Sequence, residues 1–128
     1  MTAVSYTHLT LPTKRVWDQN IQGTPPEGFG YGCEYTTTED ILTKVTDTSN
    51  STHGTHVLGI AAGADNTDDK NVYGVATDAE IVLVSLNGNE LINSDNTAVL
   101  DGVKYIFDYA KSVNKPCVVN LSLGSHLG

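Results

Sequence analysis

At 128 residues the chain is one domain at most, and it is long enough to bury a core. Hydrophobic residues make up 39% and charged residues 17%, the composition of an ordinary globular protein. A formal net charge of -8 and a pI near 4.6 argue against nucleic acid and against an anionic membrane surface as partners, and no apolar run approaches the roughly 20 residues that cross a bilayer.

Residues 1–15, "MTAVSYTHLTLPTKR", are rich in threonine, with a weak strand-like alternation that ends at Pro12. They lack the basic flank and apolar stretch of a signal peptide, which carries weight only if Met1 is the natural start. "VWDQNIQGTPPEGFGYGCEYTTTED" holds Pro25, Pro26 and four glycines and predicts a loop. "TTTEDILTKV" predicts a short helix, with Thr37 or Thr38 as N-cap and Glu39 and Asp40 in the first turn. "AEIVLVSLNG" is apolar on both faces, the pattern of a strand buried in a parallel sheet. From Asn96 to Val113, Val99, Val103, Ile106, Phe107 and Ala110 recur at helical spacing, and "PCVVNLSLG" then predicts a second buried strand set off by Pro116. Strand, helix and strand in that order form a βαβ unit with a right-handed crossover, so the class is α/β.

The stretch "STHGTHVLGIAAG", Ser51–Gly63, admits three readings. As a metal site, His53 and His56 share a helix face at i, i+3, but Gly54 stands where a zinc protease has its glutamate, and no third ligand is near in sequence. As plain structure, both histidines are capping or core groups, which is the favoured reading for His56. As acid–base chemistry, Ser51 or Thr52 caps a helix that Val57, Leu58, Ile60, Ala61 and Ala62 make apolar and that ends at Gly63. His53 then lies in the first turn, where the macrodipole disfavours imidazolium and keeps the neutral form that a general base requires. Gly54 and Gly59 each cost about 1 kcal/mol of helix propensity relative to alanine, a cost accepted where another backbone passes close by.

"HGTHVLGIAAG" resembles the histidine motif of the subtilisin-like serine proteases, the subtilases. "YGVATDAEIVLVSL" is similar to the segment that follows in that family, with Thr77 in place of the usual proline, and "VVNLSLG" to the strand that lines its substrate cleft. "VWDQNIQGTPPEGFGYGCEYT" resembles a segment of bacterial subtilases of the clostridial and Bacteroides-like type. The resemblance covers residues 16–128 and implies a partial subtilisin-like fold: a parallel sheet flanked by helices in three layers, α/β/α, truncated at both ends. It implies an Asp/His/Ser triad that hydrolyses peptide bonds in polypeptide substrates, with His53 as the catalytic base and His56 as a structural neighbour. Ser122, Leu123 and Gly124 match the segment that binds substrate backbone by antiparallel strand pairing, and Asn93–Asp95 lie by positional analogy near the other edge of the cleft.

Other parts of the family pattern are missing. No Gly-Thr-Ser nucleophile motif occurs anywhere in the chain. Asp47 stands only six residues before His53, too close to come from a separate aspartate strand. Asp18 in "VWDQ" is followed by Gln19 and Asn20 rather than the family's Ser/Thr-Gly turn. The aspartate is expected upstream of Val16, where the leader fits nothing in the family and resembles a translated adapter remnant; a divergent genuine strand is the alternative. On this reading only the histidine of the triad is present and the 128-residue chain is inactive. Its cut strands would also leave apolar faces and strand edges uncovered.

No cofactor is required by the family chemistry. Asp65, Asn66, Asp68 and Asp69 stand where some subtilases bind a structural calcium, and their oxygens suit that ion, but the run lacks EF-hand spacing and a solvated acidic loop is the favoured reading. Cys33 reads as a free thiol and Cys117 as a small apolar residue, and spacing alone does not show a bridge. Trp17, Phe29, Tyr31 and Tyr35 suit either an aromatic binding patch or packing of the upstream loop onto the domain. Family habit favours secretion or the cell envelope, with the cytoplasm as the alternative. Two functions therefore stand side by side: part of a serine endopeptidase, or a non-catalytic subtilase-like binding module or pseudoprotease.

Overall fold

The computed structural model describes residues 13–43, 53–63, 74–86 and 96–122. Among these, β1 (Thr13–Asp18) lies at the centre of a three-stranded sheet, with β2 (Cys33–Tyr35) on one side and β3 (Ile81–Ser85) on the other. β1 and β3 run parallel, in a register that sets Val16 beside Leu83, Trp17 beside Val84 and Asp18 beside Ser85. β2 is antiparallel to β1, so the expected parallel sheet carries one antiparallel edge. The loop expected from Val16 onward is thereby corrected. Its first three residues complete the central strand, because Val16 and Trp17 supply β-branched and aromatic bulk for both faces, and the proline- and glycine-rich turn chemistry begins only beyond them. The boundary drawn between residues 15 and 16 falls inside this strand.

Successive side chains of a strand point to opposite faces, and here each face has its own core. On one face Val16, Ile81, Leu83 and Ala62 form a cluster, with Leu58, Ile41 and Tyr35 packed against it. On the other, Trp17, Val84, Leu86, Tyr105 and Ile106 form a second, with Phe29, Tyr31, Val82, Val99, Cys117 and Val119 around it. Helices α1 (Thr38–Thr43) and α2 (His53–Ala62) supply the first cluster, and α3 (Thr97–Ser112) the second. Helices on both faces of a sheet make the three layers that the family resemblance implies.

Each helix ends for a local reason. Thr37 caps α1: its hydroxyl accepts the Asp40 amide at 3.2 Å and donates to the Asp40 carboxylate at 2.7 Å. The last carbonyls of α2 are taken by the returning chain, with Gly74 donating to Gly63, Val75 to Ile60 and Ala76 to Ala61. The close backbone passage expected at Gly59 occurs instead at Gly74, where a Cβ would meet the Ala62 nitrogen at 2.8 Å; at Gly59 it would meet nothing within 4 Å. Thr77 lies in a turn closed by Ala79 and Ala76, at the second position, where proline is favoured but not required. α3 closes in a Schellman arrangement: Asn114 takes φ +54°, its amide bonds Lys111, and Lys115 bonds Ala110 before Pro116.

The buried stripe of α3 is Ala98, Gly102, Tyr105, Ile106 and Ala110. Phe107, expected in the core, is 49% exposed, because the stripe is rotated toward Ala98 and Gly102. Gly102 explains the rotation. A Cβ there would stand 3.2 Å from Val84 and 3.5 Å from Leu86, so the helix backbone approaches β3 where it has no side chain. The second buried strand does not form. Residues 117–122 are extended without ladder hydrogen bonds, Cys117 and Val119 turn inward, and Val118 is 95% exposed. Among the described residues β3 pairs only with β1, so a backbone that would complete the βαβ unit has no bonded neighbour.

The aromatic reading resolves in favour of packing, and more deeply than at the surface. Trp17 is fully buried, with Phe29, Tyr31 and Tyr105 rings 4.7, 5.2 and 5.3 Å from it, centre to centre. Its indole N–H donates to the Tyr31 carbonyl at 3.3 Å. The loop reaches that position through Gly32, whose φ of +80° belongs to the left-handed region. A Cβ at Gly32 would collide with the Trp17 indole and stand 2.8 Å from the Asp18 carbonyl. Gly32→Ala is therefore expected to destabilise the fold by about 2 kcal/mol or more. Trp17 is the sole tryptophan, so its fluorescence in urea reads this directly. The variant should shift to red emission at lower urea than the parent, and an unchanged midpoint would contradict the packing described.

Tyr105 ties the same cluster to β2, its hydroxyl donating to Glu34 at 2.9 Å. Burial, then this hydrogen bond, then the Glu34 charge, raise its pKa well above the ordinary tyrosine value. An unfolded tyrosine ionises near pH 10. The stability contributed by the raised value is complete below that pH and is lost as pH climbs from there toward the folded value. Tyr105→Phe should flatten the alkaline decline in stability, and ultraviolet titration of the folded parent should show one tyrosine ionising after the others. Ionisation of Tyr105 together with exposed tyrosines would count against this environment.

Candidate active site

The parallel strands β1 and β3 end side by side at Asp18 and Ser85, and polar groups gather at that end. Asp18 is 3% exposed, and one carboxylate oxygen accepts both the Asn20 amide N–H, at 2.9 Å, and the Asn20 side-chain amide, at 3.2 Å. The same Asn20 side chain reaches the Ser85 hydroxyl and the Leu86 carbonyl, each at 3.2 Å. The Gln19 backbone N–H adds a bond to the Ser85 carbonyl at 3.0 Å. Asp18 is thus engaged in an Asx-type turn that locks the ends of the two strands together. The sequence carries the signal for this turn, an aspartate two residues before an asparagine at the end of an apolar run, but not its partner across the sheet.

Beside this junction Gln19 is buried and donates to the Ala98 carbonyl at 2.9 Å and to the Tyr31 hydroxyl at 3.4 Å. The Tyr31 hydroxyl in turn donates to Asp101 at 2.7 Å. The exit of β1, the upstream loop and the first turns of α3 are therefore held by one chain of hydrogen bonds. Sequence reasoning did not single out Gln19, Asp101 or Glu34, because their partners lie 79, 70 and 71 residues away along the chain.

His53 is the first residue of α2, and Gly54 beside it is buried. The opposite end of the helix, at Ala62, packs beside Ile81 at the start of β3, so His53 stands roughly 14 Å along the helix from that anchor. His56 is exposed, which removes the core reading of that residue. Ser122 is half-buried and its hydroxyl accepts the Asn120 side-chain amide at 2.9 Å. Leu123, Gly124, Asn93–Asp95, Asp47 and the acidic run Asp65, Asn66, Asp68 and Asp69 lie outside the described residues, as do the helix caps Ser51 and Thr52. Among the described residues no group of three or more His, Cys, Asp or Glu could hold a metal ion, and no helix is long and apolar enough to cross a membrane. Cys33 and Cys117 are both free, and Cys117 packs against the Trp17 cluster as a small apolar group.

Comparison with known proteins adds the family to this geometry. The family model described as "Subtilase family" matches residues 25–128. A subtilisin from a Bacillus species is 36% identical over 93 residues, covering 68% of this chain and 21% of the relative. The PII-type proteinase of Lactococcus lactis subsp. cremoris is 38% identical over 104 residues, covering 77% of this chain and 5% of the relative. Among solved structures, the CspB protease of Clostridium perfringens superposes with a TM-score of 0.70 at 28% identity, covering 98% of this chain and 27% of that one. The chain thus spans about a quarter or less of the lengths of these proteins. With the family model matched from the upstream loop through the histidine helix to the last residue, the chain belongs to the subtilase family of serine proteases.

Proposed function

We propose that this chain is the histidine-bearing part of a serine endopeptidase that cleaves polypeptides through an Asp/His/Ser triad. One observation carries the reading: His53 opens helix α2 within "HGTHVLGIAAG", in a chain of subtilase membership. At the start of a helix the macrodipole disfavours imidazolium, which keeps a base neutral and able to accept a proton near neutral pH. His53 would take the proton of a serine hydroxyl as that oxygen attacks the scissile carbonyl, then return it to the departing amine. Ser122, Leu123 and Gly124 would hold the substrate backbone by strand pairing, a mode that depends on main-chain groups and so accepts varied sequences. The acidic run from Asp65 to Asp69 is read as solvated loop, with calcium as the ion its oxygens suit.

The sequence holds no Gly-Thr-Ser, so the 128-residue chain alone should form no acyl-enzyme. Incubation with a serine-reactive fluorophosphonate is expected to leave it unlabelled and a fluorogenic peptide uncut; covalent labelling would overturn the assignment of an absent nucleophile. The reading frame downstream separates the protease from a non-catalytic module, since only the former continues to a Gly-Thr-Ser. In a chain extended to that motif, His53→Ala should lower kcat by roughly 10⁴-fold or more with little change in KM, as expected for a group that acts in the transition state. His56→Ala should leave kcat within a small factor of the parent. Equal losses at both positions would instead favour a joint structural role.

A further inference from the structure

We draw no further inference here: the strongest candidate, the small apolar cleft that Val84, Leu86, Gly102, Ile106, Val119 and Leu121 line between β3, α3 and the extended segment 117–122, has nothing in the structure to show what covers it.

Discussion

The register between β1 and β3 is the constraint on which the rest of this structure depends. Pairing Val16 with Leu83 and Trp17 with Val84 sends one set of side chains toward α2 and the other toward α3. A slip of one residue would exchange the two sets, placing the indole under α2 and leaving the α3 face without its largest side chain. Truncating a buried tryptophan costs about 3–5 kcal/mol, a large share of the stability of any small domain. The register is also locked at its carboxyl end, where Asp18, Asn20 and Ser85 close on one another across the two strands. Packing inside the sheet and hydrogen bonding at its end therefore select the same alignment.

The upstream loop is built to serve that register. It passes from β1 to β2 across the indole and closes it from solvent, and its aromatic residues complete the cluster rather than form a surface of their own. Polar groups ring the cluster: Tyr31 with Asp101, Tyr105 with Glu34, and Gln19 with Ala98. Arg15 extends the ring on the far side, stacked 5.1 Å over Tyr109 and donating to the Thr36 carbonyl. The Gln19 side-chain oxygen is the one buried side-chain polar atom among the described residues without a protein partner, a position suited to an internal water. These pairings join segments distant in sequence, so the ring ties the loop, the sheet and α3 together.

The residues after α3 show that strand-forming side chains do not by themselves make a strand. Cys117, Val118 and Val119 are strongly strand-forming, and they keep the alternation of inward and outward side chains, yet no ladder forms. Extended backbone is stabilised in a sheet by ladder bonds to an adjacent strand, and this segment makes none with the open edge of β3. Val118 and Leu121 are exposed, as are Ile60 and Val75 at the end of α2.

Local chemistry was legible wherever its signal lay within a few residues. The threonine cap of α1, the glycine-terminated histidine helix, the doubly apolar strand β3 and the extent of α3 all follow from neighbouring residues, because helix caps and side-chain periodicity are short-range effects. The histidine motif was legible for the same reason, being contiguous. The central strand at Val16–Asp18, the rotation of α3 about Gly102, the exposure of Phe107 and the failure of 117–122 to pair were not legible. Each depends on which surface a distant segment brings close, and a strand is a strand only when another backbone lies beside it. By itself the sequence determined the helices, the doubly apolar strand β3 and the family to which the chain belongs. Tertiary structure alone decided the strand order, the face each helix covers and the burial of Trp17, because those are set by contacts between residues 14 to 79 positions apart.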